Sequence, residues 1–242
     1  MSDSRPSRAL LGRVLRLLVR QHGACEWESS GEAVGVLVET VLSQNTNDAN
    51  SSSGFRRLRA EFPTWDAVAD APVGRIERCI RVGGLSRRKA PRIRSILRMI
   101  RAGRGRVDLE FLRAWPVDKA REYLLAFDGI GPKTADCLLL FSFGMPVFPV
   151  DTHVHRVACR LGAIGDKTTP EQAHGLLEPR ISPADRYALH VLLIAHGRSV
   201  CRARRPRCED CLLLDLCPYG QKCLTTKDTK GTKKEQENRK QR

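Results

Sequence analysis

Apolar residues recur at helical spacing along most of the chain, and no stretch of useful length alternates with the two-residue period of a β-strand. Within residues 1–22, Leu11, Val14, Leu15 and Leu18 share one helical face, which predicts an amphipathic helix docked on the body of the protein. Further helices are predicted at 31–43, 64–70, 73–80, 87–102, 107–113, 118–127, 132–143, 151–161, 170–178 and 183–196. The pattern therefore predicts an all-α protein.

The end of the chain departs from this pattern. Residues 224–242 are rich in Lys, Thr, Gln and Glu and contain almost no apolar residue. A segment of this composition buries too little apolar surface to offset the entropy of ordering it. We therefore predict a disordered basic tail at 224–242.

Charge indicates the class of partner. The chain has 42 Lys and Arg residues against 27 Asp and Glu residues, a formal net charge of +15. Much of this charge lies outside the tail, in a central cluster of Arg87, Arg88, Lys89, Arg92 and Arg94. An excess of this size favours a polyanionic partner. Aromatic residues make up only 5% of the chain, too few for a protein built on base-stacking platforms.

The chain shows no sign of a membrane or secretory destination. No apolar run reaches the ~18 residues of a membrane span. The N-terminal segment is basic, but its apolar face fits a docked helix better than a targeting peptide. We therefore expect a cytoplasmic protein with no signal peptide and no membrane partner.

Four cysteines near the C-terminus form one compact pattern, C-x6-C-x2-C-x5-C, made by Cys201, Cys208, Cys211 and Cys217. Four cysteine thiolates are the usual ligands of a [4Fe–4S] cluster. Zinc also binds four cysteines, but its usual pattern is two separated short pairs, and here only the central two form such a pair. The spacing favours an iron–sulfur cluster, with zinc and then unliganded thiols as the alternatives. The remaining cysteines are predicted to be small core residues, apart from Cys223, which follows the pattern.

A second signal is a short glycine-containing turn between two predicted helices. The first of these helices ends near Phe127, the chain turns at Gly129, Ile130 and Gly131, and Pro132 lies near the start of the next helix. Glycines allow the backbone to approach a ligand closely. The free N–H groups at the start of the second helix would suit a phosphate. An ordinary packing turn is the simpler alternative.

Lys133 follows this turn in the first turn of the second helix, where the helix macrodipole disfavours a cation. A neutral lysine amine is a nucleophile that can form a Schiff base with a carbon electrophile. The alternative role is a simple contact between the ammonium group and a phosphate.

Asp151 comes eighteen residues after Lys133, at a predicted helix N-cap. Capping is its simpler role. A carboxylate held near the lysine could instead accept protons and stabilise positive charge on a reacting sugar.

Taken together, the segments Gly-Ile-Gly-Pro-Lys-Thr-Ala, Val-Asp-Thr-His and His-Gly-Arg, the last running into the four cysteines, resemble the endonuclease III family. This is a family of DNA glycosylases with AP lyase activity in the helix–hairpin–helix superfamily. The similarity spans about residues 10 to 220, which is nearly the whole chain.

The resemblance implies a two-lobed helix–hairpin–helix fold. Residues 31–146 would form a six-helix barrel with the helix–hairpin–helix at 118–143. Residues 147–223 would form the lobe that holds a [4Fe–4S] cluster, with the N-terminal helix of 1–30 packed on it. The expected partner is double-stranded DNA with a damaged base or an abasic site, bound by a nucleoid-associated monomer with the lesion flipped out of the duplex.

The resemblance also assigns residues. Lys133 would attack C1′ of the sugar and displace the base, with β-elimination following from the Schiff base, and Asp151 would be the catalytic aspartate. Gly129, Ile130 and Gly131 would bind phosphate, and the four cysteines would ligate the cluster. The arginines between the cysteines are predicted to contact DNA phosphates. They are Arg202, Arg204, Arg205 and Arg207.

Two loops resemble the segments that enter the DNA duplex. Asn45, with Gln44 just before it, matches the position that fills the hole left by the flipped base. Leu85 matches the apolar wedge that eases extrusion. Three departures fall near recognition: Phe127-Asp128 replaces the usual Leu-Pro before the hairpin, Asn45 replaces glutamine, and His155 stands where the family often has an aromatic or apolar residue. They affect the expected lesion preference rather than the reaction.

The preferred prediction is a glycosylase/lyase that removes oxidised pyrimidines. One alternative is a mismatch-specific thymine or adenine glycosylase of the same superfamily. The adenine enzymes generally lack the lysine and carry an acid where this chain has Thr40. The other alternative is a non-catalytic iron–sulfur protein that binds DNA, which would need neither Lys133 nor Asp151.

Overall fold

The structure, a computed structural model, describes residues 7–225 of the 242-residue chain. Within these residues all regular structure is helical, with eleven α-helices, a further α-helical segment at 218–225, six short 3-10 helices and no strand. The α-helices are α1 (Arg8–His22), α2 (Ala33–Ser43), α3 (Asp48–Glu61), α4 (Trp65–Asp70), α5 (Val73–Ile80), α6 (Ser86–Arg104), α7 (Val117–Leu125), α8 (Pro132–Phe143), α9 (Thr152–Arg160), α10 (Pro170–Leu177) and α11 (Arg186–Ser199). The 3-10 helices are Arg81–Gly83, Glu110–Ala114, Glu178–Arg180, Pro183–Asp185, Cys208–Asp210 and Leu214–Leu216.

The all-α class predicted from the sequence is confirmed, with two differences in detail. The α-helix predicted at 107–113 is wrong, because the chain forms a 3-10 helix at Glu110–Ala114. The pattern also failed to predict α3, a polar helix whose buried face consists of only Ser51, Gly54 and Leu58. None of the helices in residues 7–225 is long and apolar enough to cross a bilayer. The predicted tail lies outside the described residues except for its first two.

One compact unit comprises Trp27–Pro149. Its centre is the packing of α2 against α8, two helices that are largely buried. Around them α3 packs on α2 and α5, α6 packs on α4 and α5, and α7 packs on α8. This unit has seven α-helices, of which α4 is only six residues long, where the resemblance implies a six-helix barrel.

The second compact unit combines Met1–Glu26 with Val150–Arg242. In its described part, α1 packs on α11, α11 packs on α9, and α9 packs on α10. Leu11, Val14 and Leu18 of α1 are buried, so the amphipathic face read from the sequence is the face that docks. The cysteine-containing segment follows α11 in this unit.

A buried ion pair joins α7 to α8 on either side of the hairpin. Arg121 Nε donates to Asp136 Oδ1 at 2.8 Å, and the Asp136 side chain is only 3% exposed. The same arginine also lies 3.9 Å from Asp118, whose side chain is 98% exposed. A charge left alone in a buried site is costly, whereas an exposed pair contributes little because solvent screens it.

These two aspartates give a stability prediction. Asp136→Ala should lower the free energy of unfolding by about 3 kcal/mol, because it leaves the buried end of Arg121 without its partner. The matched change Asp118→Ala should cost less than about 1 kcal/mol. Urea denaturation of both variants measures the difference, and equal losses would contradict this account of the hairpin.

Candidate active site

The start of α8 presents backbone N–H groups that bind nothing within the described residues. Gly131 is the N-cap and has no side chain to cap the helix, whereas Ser7, Asn47 and Thr64 each cap a helix through a side-chain oxygen. Among residues 7–225, no hydrogen bond uses the N–H of Gly129, Gly131 or Lys133. Unpaired N–H groups at the positive end of a helix dipole form a site for an anion.

Gly129 can be replaced by no other residue without strain. Its φ is +87°, a conformation that favours glycine. A Cβ built on Gly129 would lie 2.6 Å from Nε and 2.7 Å from Cδ of Arg92, so the arginine side chain rests directly on the turn. Gly131 has an ordinary φ and open space around it. The close contact with Arg92 was not predicted.

The hairpin is anchored by aromatic packing that explains the unusual Phe127-Asp128 pair. Phe127 is buried and meets Tyr123 edge to face at 5.1 Å between ring centroids. Tyr123 in turn contacts Phe111 and Trp115 in the same geometry. Asp128 is exposed and is not part of this packing. The phenylalanine therefore stabilises the turn from inside.

Lys133 is the second residue of α8 and is half-buried. Within residues 7–225 its amine forms no hydrogen bond and no ion pair. The neighbouring Thr134 is buried, and its hydroxyl lies 3.3 Å from Nε2 of Gln44. Gln44 Oε1 accepts from Arg92 at 3.3 Å. Gln44 and Arg92 therefore tie the loop after α2 to the start of α8.

Both loops predicted to enter DNA carry a non-glycine residue in the left-handed region. Asn45 has φ of 53° and is exposed, and Leu85 has φ of 51° and is 47% exposed. An exposed leucine in an uncommon backbone conformation indicates a functional constraint. Gln44 points inward to Arg92 and Thr134, so Asn45 is the residue that this loop offers to solvent.

Asp151 is the N-cap of α9, as predicted. Its Oδ1 accepts the N–H of Val154 at 2.7 Å. This bond uses one carboxylate oxygen, so the capping role is realised. Lys133 and Asp151 belong to different units, and their cooperation stays a prediction.

The four cysteines of the predicted cluster line one cavity in the second unit. Arg160, His196 and Leu213 share its wall. Gly220 N–H donates to Cys217 Sγ at 3.3 Å, and Arg160 Nη1 donates to Cys201 Sγ at 3.3 Å. Among the described residues, no three Cys, His, Asp or Glu side chains stand close enough together to hold a metal ion.

Burial raises the thiol pKa of three of these cysteines. It raises the pKa of Cys208 to about 11, and it also raises the pKa of Cys211 and of Cys217. A metal bound by these residues would therefore have to displace thiol protons as it enters. Burial likewise lowers the pKa of His196 to about 4, so its imidazole is neutral at pH 7.

The arginine-rich segment between the cysteines is held from outside by α9. Arg160 donates to the carbonyls of Arg202 at 2.7 Å and Ala203 at 3.1 Å. Arg156 donates to the carbonyl of Cys201 at 3.2 Å. All four predicted DNA-binding arginines are exposed, but Arg207 pairs with an aspartate of the same segment at 2.9 Å. The sequence did not identify the two holding arginines, although their spacing of four along α9 was visible.

Two further side chains near the cysteines were missed. His196 Nε2 lies 3.6 Å from Cys211 Sγ, and its Nδ1 lies 3.4 Å from Nε2 of His22. Cys223 interacts with Cys208 and contributes to the raised pKa of that thiol. Groups behind metal ligands commonly orient those ligands. The only sequence signal was proximity, of His196 before the first cysteine and of Cys223 after the last.

Comparison with known proteins identifies the family to which this chain belongs. The family described as "HhH-GPD superfamily base excision DNA repair protein" matches residues 38–183, which include the hairpin, Lys133 and Asp151. The chain belongs to this superfamily. Residues 38–183 are more than half of the chain.

Relatives within the superfamily agree. The chain is 37% identical to endonuclease III of Sulfolobus acidocaldarius over 76% of its own length and 80% of that protein. It is 40% identical to a candidate DNA glycosylase of Arabidopsis thaliana over 67% of its length, but it spans only 55% of that plant protein. The predicted resemblance to endonuclease III is confirmed.

Solved structures show the same fold. A non-covalent endonuclease III–DNA complex and a trapped covalent endonuclease III–DNA intermediate each match with a TM-score of 0.78 and 28% identity. Both matches cover 90% of this chain and 99% of the matched chain. The all-α helix–hairpin–helix class is confirmed, and a DNA glycosylase/AP lyase of base excision repair is the function that the family supports. The assignment of individual residues stays a prediction.

The hairpin gives a test that separates its two glycines. Gly129→Ala should lower the free energy of unfolding by about 2 kcal/mol, since the new Cβ adopts a strained φ and strikes Arg92. Gly131→Ala, with open space and an ordinary φ, should change it by less than about 0.5 kcal/mol. Urea denaturation compares them, and an unstrained Gly129→Ala protein would contradict the contact with Arg92.

Proposed function

We propose that this protein is a bifunctional DNA glycosylase, which removes oxidised pyrimidines from duplex DNA and then nicks the strand through a Schiff base on Lys133. The observation that carries the proposal is the start of α8, where N–H groups that bind nothing within residues 7–225 adjoin a lysine that has no acidic partner in the same range. A phosphate held by these N–H groups would fix the DNA strand beside the amine. A protein that only bound DNA would have no need of such a nucleophile.

The amine of Lys133 would attack C1′ of the deoxyribose. The bond from C1′ to the base breaks, and the base leaves with the bonding electrons and takes up a proton. Opening of the sugar ring gives an imine between Nζ and C1′. Loss of a proton from C2′ then expels the 3′-phosphate, and water hydrolyses the imine to release the enzyme.

Asp151 fits the role of proton acceptor in these steps. A carboxylate with one oxygen fixed by the N–H of Val154 is held in one orientation and keeps an oxygen for the reaction. It can accept the proton that Lys133 must lose, and its charge would stabilise the positive sugar. Asp151→Asn should therefore depress excision while leaving the capping bond in place.

The lesion must leave the helix stack before the amine can reach C1′. Asn45 and Leu85, exposed on their two loops, are suited to fill the gap and to wedge the base step. Adenine-mismatch glycosylases carry a characteristic acid at the position where this chain has Thr40. The hydroxyl of Thr40 donates to the carbonyl of Val36 at 2.8 Å. We infer that the enzyme works as a monomer on damaged duplex DNA.

A [4Fe–4S] cluster fits the four cysteines that line one cavity. Four thiols in a single short segment, with N–H donors aimed at two of the sulfurs, match the ligand set of such a cluster. When bound, the cluster would supply a rigid support rather than redox chemistry, because base excision transfers no electrons. The exposed arginines Arg202, Arg204 and Arg205 would then be held toward DNA phosphates.

Borohydride trapping tests the nucleophile. Wild-type protein should form a covalent adduct with duplexes that carry an oxidised pyrimidine or an abasic site, because borohydride reduces the imine to a stable amine. Lys133→Gln should abolish the adduct on both duplexes, a loss of more than about a hundredfold. Lys119→Gln removes an exposed lysine of α7 and is the matched control.

Each pattern of trapping has a meaning. An adduct on the abasic duplex alone would keep the lyase and reject the oxidised pyrimidine, and a thymine mismatch would be tried next. Unchanged trapping by Lys133→Gln would contradict the proposed nucleophile. No adduct with the wild type would contradict the Schiff base itself.

Metal analysis tests the cofactor. The purified protein should contain about four iron atoms and four sulfide ions per chain, and Cys208→Ser should lose most of both. It should also bind undamaged duplex more weakly, because the arginine segment loses its support. Cys79→Ser, a half-buried cysteine of the other unit, is the control and should keep its iron. One zinc ion in place of iron would contradict the proposal.

A further inference from the structure

Lys89 is a buried lysine whose amine holds two separate loops. It is 4% exposed, and its Nζ donates to the carbonyl of Leu42 at 2.6 Å and the hydroxyl of Thr46 at 2.6 Å. Its third donor lies 3.4 Å from the carbonyl of Gly83. An ammonium group has three N–H donors and no acceptor, so these three oxygens satisfy it completely.

The charge of Lys89 is balanced without a carboxylate. Among the described residues its partners are two backbone carbonyls and one hydroxyl. Leu42 lies in the last turn of α2 and Gly83 ends a 3-10 helix, so both carbonyls lie at the negative ends of helix dipoles. Burial lowers the pKa of Lys89. Burying a lysine costs desolvation free energy that an apolar side chain would not, which suggests that the amine has a specific role here.

The three oxygens lie within or next to the two loops that carry Asn45 and Leu85. Leu42 and Thr46 flank Asn45, and Gly83 lies two residues before Leu85. Thr46 also donates its hydroxyl directly to the carbonyl of Gly83, so the two loops are joined to each other as well as to the amine. The backbone N–H of Lys89 itself donates to the carbonyl of Leu85 at 2.9 Å.

Both exposed residues depend on strained backbone. Left-handed φ values at Asn45 and Leu85 cost energy and persist only where surrounding contacts enforce them. Together with the bond from Thr46 to Gly83, the contacts of Lys89 fix the chain immediately beside both residues. Removing the amine leaves only part of this network, so the position of Asn45 relative to Leu85 would be set less firmly before DNA binds.

We propose that Lys89 is a positioning residue that holds the loops of Asn45 and Leu85 as one preset unit for opening the DNA duplex. The proposal rests on the proposed function, since it assumes that these loops insert around an extruded base. Lys89 does not touch the reacting atoms. Lys89 orders the two loops before DNA binds. Less of the free energy of binding is then needed to order them.

This role predicts a dependence on the state of the DNA. Extruding a paired base costs unpairing and unstacking energy, and that cost is smaller for a base that has no pairing partner. Loss of the preset unit should therefore slow excision of a paired lesion strongly. It should matter far less when the lesion lies opposite an abasic analogue, and least when cleavage starts from an abasic site. A side chain needed only for folding would affect all three substrates alike.

The experiment compares Lys89→Met with Lys119→Met, which removes the same charge from an exposed position of the same unit. Single-turnover excision is measured for one oxidised pyrimidine, once paired with a normal base and once opposite an abasic analogue, together with nicking of an abasic site. Relative to the control, Lys89→Met should lose at least about tenfold on the paired lesion and less than about threefold on the other two. 2-Aminopurine opposite the lesion should report weaker insertion.

A second variant guards against a folding defect. Thr46→Val keeps the lysine and removes the hydroxyl that joins it to both loops. It should show the same preference for the unpaired lesion with a smaller loss. Equal losses on all three substrates by both variants, or no loss, would overturn the inference. If the wild type excises neither lesion, the proposed function fails instead, and the inference falls with it.

Discussion

The N–H groups at the start of α8, which have no partner in the described part of the chain, are the constraint on which the rest of the site depends. A helix end left without a side-chain cap is stable only if the surrounding structure holds it, and this one is held from several sides. Phe127 anchors the turn in an aromatic cluster, Arg92 rests on Gly129, and the body of α8 is buried against α2. The same backbone that would bind phosphate thereby places Lys133 at the surface, so anchoring of DNA and presentation of the amine have one structural cause.

Helix α6 connects this hairpin to the two loops. Lys89 and Arg92 lie three residues apart and therefore on neighbouring positions of one face. Lys89 holds the loops after α2 and before α6, whereas Arg92 joins Gln44 to the glycine turn. Three segments that are distant in sequence meet along one turn of one helix. A rigid element that bears on all three is what a reaction needs when base extrusion and attack at C1′ must be aligned.

The sequence was most informative where the signal is local. The glycines, the proline and Lys133 stand within five residues, and the cap at Asp151 is set by its own helix. In contrast α3 was missed because its sequence is mostly polar, with three Ser and three Arg residues, and Gly54 packs against Ile80 where an apolar stripe would be expected. Arg92 contacts Gln44 and Gly129, which lie 48 and 37 residues away in the sequence. Arg160 contacts residues 41 to 43 positions away, and His196 lies near Cys211, 15 positions away. Contacts of that separation leave no periodic trace in a single sequence.

The central claim is that the amine of Lys133 forms the bond to the DNA sugar, and the most direct measurement is to locate that bond. Wild-type protein is reduced with borohydride on an abasic duplex, digested, and the modified residue identified by mass spectrometry. The account predicts a single modified site at Lys133, with protease cleavage blocked after that residue. Modification at another lysine or at the N-terminal amine would contradict it, because the start of α8 would then have no part in the chemistry.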